Sequence, residues 1–258
     1  MPILQLDQVT IKFGGLTAVS GVSLSMDDGD LWGLIGPNGS SKTTMFNMIT
    51  GVYRPVSGTI YFDGRDVTGL RPDIITSLGI ARTFQNIRSF SELKVIENVM
   101  AGRYVRQKSS TLASILGLPN YKREEKAMHS YCSDLLGAVG LGDSLLEERK
   151  VSELPYGLQR RVEIARALAT GPKLLLLDEP AAGMTPEEFG DLMDCIQKVR
   201  RQFDLSVLLI SHEMKVVMGI CENIVVLNHG QKIATGSPLD IQSNPDVIEA
   251  YLGEPEGA

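Results

Sequence analysis

The sequence predicts an α/β protein with a mostly parallel β-sheet, an antiparallel β subdomain and an inserted α-helical subdomain. Residues 31–35, 173–178 and 206–212 are short runs dominated by apolar residues, which favours strands buried on both faces of a parallel sheet. Amphipathic helical patterns alternate with these runs. Segments near the amino terminus instead alternate apolar and polar residues, as half-exposed antiparallel strands do.

The other elements are predicted in order along the chain. The predicted antiparallel strands are 3–13, 20–26 and 58–64. Residues 80–85 are apolar enough for a core strand. From about residue 87 to residue 170 the pattern is mostly helical, which we interpret as a subdomain inserted into the α/β core. The core then resumes, and residues 224–227 and 231–235 are predicted to close it as a hairpin.

The size of the chain permits one large α/β domain or two small ones, and we assign residues 1–258 to a single domain. The apolar fraction of 43% is sufficient for a sizeable core, and the net charge of −6 disfavours nucleic acid as a partner. No apolar run approaches the roughly 20 residues that a membrane-spanning helix needs. No secretory segment is recognised, and Cys132, Cys195 and Cys221 are expected to be buried thiols. We therefore expect a cytoplasmic protein that meets a membrane only through a partner.

The central motif lies between the apolar strand 31–35 and a helical pattern over 45–49. A strand, a glycine-rich turn and a helix that opens on Lys-Thr are typical of the phosphate-binding loop of P-loop NTPases. Backbone N–H groups and the helix amino terminus surround an anion there. Lys42 is expected to reach the terminal phosphates, and Thr43 to bind Mg²⁺. The motif consists of Gly36, Pro37, Asn38, Gly39, Ser40, Ser41, Lys42, Thr43 and Thr44.

One residue of this loop departs from the pattern G-x-x-x-x-G-K-[ST]. Ser41 stands where the second glycine belongs. If that position requires a positive φ, the Cβ atom costs roughly 1 kcal/mol. We therefore expect phosphate binding to be weakened or altered at this position, though not necessarily lost.

Polar residues follow the predicted core strands. Asp178 and Glu179 end an apolar strand, where they are expected to face a ligand crevice. Asp178 would support Mg²⁺, and Glu179 would orient or deprotonate an attacking water. The alternative is that both acids cap a helix that starts near Pro186. His212 is expected to contact the γ-phosphate, and Gln85 to bind Mg²⁺ or the water, although each could be an ordinary structural or loop residue.

A second glycine-bearing helix start follows the predicted subdomain. It offers another anion site at a helix amino terminus, although a simple helix cap would have the same pattern. Its residues are Leu154, Pro155, Tyr156, Gly157, Leu158 and Gln159.

The order of these motifs resembles the ATP-binding-cassette ATPases over essentially the whole chain. The resemblance implies that Phe13 stacks on adenine, that Gln85 is the Q-loop glutamine and that residues 154–159 are the family signature. It also implies that Asp178 and Glu179 are the Walker B acid and the catalytic carboxylate. His212 would be the switch histidine.

Members of this family work as head-to-tail dimers. The resemblance implies two ATP molecules with Mg²⁺, each held between the phosphate loop of one subunit and the signature of the other. Three positions depart from the family pattern: Ser41, Leu158 and Thr185, the last of which stands where most cassettes have an aspartate.

A closer resemblance is to the ATPases of branched-chain amino-acid importers. It rests on the Leu-Pro-Tyr-Gly signature and on residues 161–169, 179–184 and 247–253. It implies a second cassette, two membrane permeases and an external substrate-binding protein as partners, at the inner face of the cell membrane. The permeases would contact a groove near Gln85. Basic residues would lie near that membrane face or on an ordinary solvated surface: Arg103, Arg106, Lys108, Lys122 and Arg123.

Two functions follow from these patterns. The first is an ATP-hydrolysing subunit that powers uptake of branched-chain or related amino acids. The alternative is a nucleotide-gated regulatory cassette with weak hydrolysis, which the three departures favour. A cassette that acts on DNA or ribosomes is disfavoured, because the chain has neither a second cassette nor a coiled-coil pattern.

Overall fold

A computed structural model describes residues 1–85, 89–107, 119–211 and 214–252. The smaller of its two sheets is antiparallel, with the strand order β2-β1-β4-β5. Its strands are β1 (Pro2–Phe13), β2 (Leu16–Asp27), β4 (Ser57–Phe62) and β5 (Arg65–Asp66). β2 begins four residues earlier than predicted, because Phe13 pairs with Leu16 across a two-residue turn.

The larger sheet has six strands in the order β10-β9-β3-β8-β7-β6. Its strands are β3 (Leu31–Ile35), β6 (Ile80–Arg82), β7 (Leu174–Asp178), β8 (Ser206–Ile210), β9 (Asn223–Asn228) and β10 (Gln231–Gly236). All neighbours are parallel except β9 and β10, which form the predicted closing hairpin. Every residue of β3, β7 and β8 is buried. The predicted α/β class is therefore confirmed.

The strand predicted over residues 80–85 is shorter in the structure. β6 ends at Arg82, and Thr83 still donates its backbone N–H to the Leu176 carbonyl at 2.9 Å. The backbone N–H of Phe84 instead donates to the Glu163 side chain at 3.3 Å. The strand ends because a helix side chain replaces the neighbouring strand as hydrogen-bond partner. Gln85 therefore lies beyond the sheet.

The helices cover both faces of the larger sheet. They are α1 (Lys42–Ile49), α2 (Pro72–Leu78), α3 (Val95–Arg103), α4 (Pro119–Ala138), α5 (Ser144–Glu147), α6 (Tyr156–Ala169), α7 (Pro186–Phe203), α8 (Met214–Ile220), α9 (Pro238–Gln242) and α10 (Pro245–Leu252). Helices α3 to α6 follow one another between β6 and β7, within the region predicted to be helical. In the part of the chain that the structure describes, no helix is long and apolar enough to cross a membrane.

Apolar side chains form two clusters, one on each face of the larger sheet. Leu175 and Leu177 of β7 pack in the cluster that includes residues of α3, α4, α6 and α7. Leu174 and Leu176 point the other way, into the cluster that includes α1 and the antiparallel sheet. This division follows from the alternation of side chains along a strand. All three cysteines are buried and free, as predicted.

Two of the predicted basic surface residues have structural contacts. Arg103 donates to the Ala169 carbonyl at 3.3 Å, and Arg106 to the Thr170 carbonyl at 2.7 Å. Both therefore satisfy carbonyl groups at the carboxyl end of α6, which have no partner within the helix. Lys122 and Arg123 are exposed on α4, whereas Lys108 lies outside the described residues.

Candidate functional site

Four neighbouring parallel strands end at one edge of the larger sheet. β3 leads into the phosphate loop, β7 into Glu179, and β8 into Ser211. β6 leads through Thr83 and Phe84 to Gln85. Parallel strands place such residues together in the crevice beyond their carboxyl ends. His212, which follows Ser211, lies outside the described residues.

The phosphate loop has a backbone that excludes larger side chains at its first glycine. A Cβ atom on Gly36 would lie 2.0 Å from the Leu227 carbonyl oxygen. Ser41 has φ 76° and ψ 24°, in the left-handed region, directly before α1. The condition for strain at this position, a positive φ, is therefore met. The Ser41 side chain makes no capping hydrogen bond to compensate for the strain.

Lys42 is folded back onto the loop that precedes it. Its Nζ donates to the Gly36 carbonyl at 2.8 Å and to the Pro37 carbonyl at 3.0 Å. Burial lowers the pKa of Lys42, while the carboxylates of Glu179 and Asp178 act in the opposite direction. The ammonium group thus lies at the loop and within the electrostatic reach of both predicted acids.

Asp178 is buried at the end of β7 and forms an ion pair. Its Oδ2 accepts a hydrogen bond from Arg82 at 2.7 Å, and both side chains are at least 94% buried. Arg82 also donates to Asn47 Oδ1 of α1 at 2.6 Å. Its guanidinium lies 5.4 Å from the Phe46 ring centre and 5.0 Å from that of Phe84. Asp178 is therefore tied to the helix that follows the phosphate loop.

Arg82 is a residue that the sequence reasoning missed. The only signal is a charged residue inside the apolar run 80–84, because a strand interior accepts a charge only with a partner. Nothing in the sequence identifies Asp178, 96 positions away, as that partner.

Glu179 and Gln85 are brought into contact. Gln85 Nε2 donates to Glu179 Oε2 at 3.1 Å. The Glu179 backbone has φ 47°, and its N–H donates to the Ile210 carbonyl at 2.9 Å. A non-glycine residue in this region is uncommon and often marks a functional site.

The alternative that the two acids cap a helix is wrong. Thr185 is the N-cap of α7, and its side chain accepts the backbone N–H of Glu188 in a reciprocal capping box. The unusual residue at position 185 thus performs a capping role for which threonine is well suited.

Residues 154–159 form the start of α6. The Pro155 carbonyl accepts the N–H groups of Leu158 and Gln159, each at 3.0 Å, and Gln159 Nε2 donates to the Leu154 carbonyl at 2.8 Å. Leu158 packs against the apolar cluster on its face of the sheet, which accounts for an apolar residue at this position. Tyr156 is exposed and Gly157 half-buried. The hydrogen bonds described for these residues do not reach the phosphate loop.

Phe13 is the last residue of β1, and its ring is substantially exposed. Its ring centre lies 5.1 Å from that of Tyr53, with the two planes at 72°. This edge-to-face contact fixes the Phe13 ring and leaves surface for stacking. Tyr53 was missed by the sequence reasoning, since the two residues are 40 positions apart.

The residues at this edge fit a nucleotide with a divalent cation. The loop excludes a Cβ at Gly36, supplies the Lys42 ammonium, and begins a helix whose Thr43 is exposed. Carboxylates of Asp178 and Glu179 are oxygen donors of the kind that Mg²⁺ prefers. The arrangement can therefore bind phosphate groups and a hard cation.

Comparisons with known proteins agree with this arrangement. The sequence model of the family described as ABC transporter matches residues 19–182, and that of the family described as branched-chain amino acid ATP-binding cassette transporter matches residues 231–257. The chain is 44% identical to the high-affinity branched-chain amino acid transport ATP-binding protein BraF of Pseudomonas aeruginosa. It is 42% identical to the high-affinity branched-chain amino acid transport ATP-binding protein LivG of Escherichia coli. In both cases 98% of each chain is covered.

Solved structures are also similar. The crystal structure of the ADP conformation of MJ1267, an ATP-binding cassette of an ABC transporter, is 34% identical with a TM-score of 0.85. It covers 98% of this chain and 100% of that one. A dimeric post-hydrolysis structure of the ATP-binding cassette MJ0796, bound to ADP and Pi, is 25% identical with a TM-score of 0.74, over 91% of this chain and 98% of that one.

The chain belongs to the ABC transporter family. It is an ATP-binding cassette with the P-loop NTPase fold, and it is an ATPase. The resemblance drawn from its motifs is thereby confirmed.

Proposed function

We propose that this chain is the ATP-hydrolysing subunit of an importer for branched-chain or related amino acids. The observation that carries the proposal is the convergence of the phosphate loop, Asp178 and the Gln85–Glu179 contact at one sheet edge. Membership of the ABC transporter family, and the names of relatives that cover 98% of the chain, support the transport role and the substrate class.

One half of each nucleotide site would be formed by residues of this chain alone. Phe13 would stack on adenine, and the loop from Gly36 to Thr44 would bind the phosphates through its N–H groups and Lys42. Bound Mg²⁺, held by Thr43, Gln85 and Asp178, would supply charge neutralisation of the phosphates.

Glu179 would orient or deprotonate the attacking water. Its contact with Gln85 supports this role, because an amide donor fixes the orientation of the carboxylate. His212 would contact the γ-phosphate; this role is inferred from its position at the end of the predicted strand 206–212 and from the family resemblance.

The second half of each site would come from another cassette. The signature residues 154–159 have no hydrogen bond to their own phosphate loop among those described, which suits a role toward the nucleotide of a partner. The dimeric arrangement of the related cassette MJ0796 supports this assignment. The partner would be a second copy or a sister cassette.

A groove beside the Q-loop supports a contact with permeases. It has a volume of about 360 Å³ and is lined by Arg82, Phe84, Phe90, Ala101, Gly102 and Arg166. The aromatic and small residues suit a helix with an apolar face, whereas both arginines are engaged within this chain, Arg82 with Asp178 and Arg166 with Glu163. The proposed complex also contains two permeases and an external binding protein. This chain would be a single domain that lies at the inner face of the membrane. Residues 87–170 would be its helical subdomain.

The alternative of a regulatory cassette receives no support from the comparisons. Thr185 caps α7 and the half-buried Leu158 packs against the apolar cluster, so two of the three departures have structural explanations.

Uptake by cells tests the proposed function. Deleting the gene should abolish high-affinity uptake of radiolabelled leucine, and uptake of lysine serves as a control. The wild-type gene should restore leucine uptake, and the Glu179→Gln gene should not. Normal leucine uptake in the deletion strain would contradict the substrate class, and restoration by Glu179→Gln would contradict the need for hydrolysis.

A further inference from the structure

Two buried charged residues of α6 have no part in the proposed nucleotide site. Arg160 is fully buried and Glu163 is 2% exposed. They lie one helical turn apart, and Arg160 Nη1 donates to Glu163 Oε2 at 2.5 Å. A buried ion pair contributes little to stability by itself, because removing both charges from water costs about as much as their attraction gains. The other contacts of Arg160 and Glu163 therefore indicate the role of this ion pair.

Those other contacts converge on residues 84 and 85. Arg160 Nη1 donates to the Phe84 carbonyl at 2.6 Å, and Nη2 donates to the Gln85 carbonyl at 2.8 Å. Glu163 Oε1 accepts the Phe84 N–H at 3.3 Å. Three backbone groups of a segment that has left the sheet are thus held by one helix.

The Gln85 side chain connects this backbone to the carboxylate. Arg160 holds the Gln85 carbonyl from the α6 side, Glu163 holds the adjacent Phe84 N–H, and the Gln85 side-chain amide donates to Glu179. The same helix begins at Tyr156, within the signature residues 154–159, and Arg160 follows them directly. A continuous series of contacts therefore runs from the signature to Glu179.

We propose that Arg160 and Glu163 are positioning residues that hold Gln85 against Glu179 and couple the signature segment to that carboxylate. This inference rests on the proposed roles of Gln85 and Glu179. Arg160 acts through the Gln85 backbone and touches neither nucleotide nor water. Binding of a partner cassette at the signature of this chain would then be transmitted to Glu179 of the same chain.

The chemistry of arginine is essential to this role. A planar guanidinium can donate to a carboxylate and two carbonyl groups at fixed angles. A lysine ammonium keeps the charge, but it is a compact donor on a flexible chain and cannot reproduce this planar geometry. Arg160→Lys thus weakens the positioning while it leaves Glu163 with a cationic partner.

Amide hydrogen exchange without nucleotide tests the first half of the proposal. In the full chain, Arg160→Lys should increase the exchange rate of the Phe84 amide by about tenfold, because the segment loses part of its support. Arg106→Lys is the matched control, since Arg106 also donates to backbone carbonyls but at the other end of α6. If Arg160→Lys does not fold, Arg160→Met with Glu163→Met removes both charges together. Unchanged exchange at Phe84 would overturn the proposal.

Kinetics test the second half. Arg160→Lys should lower kcat by about tenfold and leave the ATP KM within about twofold, as expected for a group that acts only on the hydrolytic step. Adding Arg160→Lys to Gln85→Ala should cause no further loss, because both act through one contact. Additive losses would overturn the coupling. No effect of Gln85→Ala alone would contradict the proposed function of Gln85, whereas the exchange experiment does not depend on that function.

Discussion

At the scale of single residues, the site combines strain with buried charge. Ser41 and Glu179 both have a positive φ in segments that directly follow strands of the parallel sheet. Asp178 is buried and depends on Arg82 for its hydrogen bond. Such features persist only where the surrounding structure enforces them, which is common at functional sites.

Ser41→Gly should relieve the strain at the phosphate loop. We expect the free energy of unfolding to rise by about 1 kcal/mol, because glycine adopts φ 76° without the Cβ conflict. Asp204→Gly is the control, since Asp204 has φ 52° at the end of α7, far along the chain from the loop. Urea unfolding should show stabilisation in both variants, whereas only Ser41→Gly should change ATP affinity in a titration. Equal ATP affinity in all three proteins would contradict the expected weakening by Ser41.

Arg82→Met should destabilise the fold strongly. It leaves the Asp178 carboxylate buried without its cation, which typically costs about 3–5 kcal/mol. The control is Arg71→Met, which breaks the exposed Arg71–Asp73 pair and should have little effect. Chemical denaturation measures both. Similar stability in the two variants would show that the buried ion pair is not important for the fold.

At the scale of elements, helix starts define the site. α1 begins within the phosphate loop, α6 within the signature, and α7 just after Glu179. The first turns are organised differently: α7 has a complete capping box around Thr185, whereas Ser41 contributes no capping bond to α1. The amino terminus of α1 thus has no side-chain cap competing with an anion.

Thr185→Ala should lower the stability of the protein by about 1 kcal/mol, because it removes both hydrogen bonds of the Thr185 hydroxyl, including the one that caps the backbone N–H of Glu188. Thr185→Asp should retain most of that stability, since aspartate is an equally good N-cap residue. Thermal unfolding measures the difference. Equal melting temperatures for the alanine and wild-type proteins would show that α7 does not depend on this cap.

Much of the fold could be predicted from the sequence, and the reasons are physical. β3, β7 and β8 are apolar on both faces, so each pattern alone indicates a buried parallel strand. The end of β6 could not be predicted, because it depends on Glu163, 79 positions from Phe84. The contacts of Arg82 with Asp178 and of Arg160 with Gln85 were missed for the same reason. The first joins the neighbouring strands β6 and β7, the second depends on the packing of α6, and the two residues of each pair are far apart in the sequence.

At the scale of the whole molecule, a sheet covered on both faces removes the thiols from solvent. Burial raises the pKa of Cys132 to about 11 and that of Cys221 to about 12, and it also raises the pKa of Cys195. The reactive thiolate is therefore suppressed in the native state. Because the unfolded chain releases these protons at lower pH, the contribution of the thiols to stability is present below about pH 9 and is lost at higher pH.

Labelling with a thiol reagent tests this arrangement. At pH 8 the native chain should react negligibly, and at pH 10 it should still react slowly, because that pH is below the native pKa values of Cys132 and Cys221. In denaturant all three cysteines should react, so each chain should consume three equivalents of the thiol reagent at either pH. Rapid labelling of the native chain at pH 8 would contradict the burial of these cysteines.

The most direct test of the central claim is phosphate release from ATP by the purified chain. The wild-type protein should release phosphate in the presence of Mg²⁺ and not after chelation. Glu179→Gln should lower the rate by about two orders of magnitude or more while ATP still binds, because the amide cannot accept a proton from water. Glu187→Gln, a change at an exposed acid in the first turn of α7, should leave the rate unchanged. A Glu179→Gln protein that turns over ATP at the wild-type rate would contradict the account.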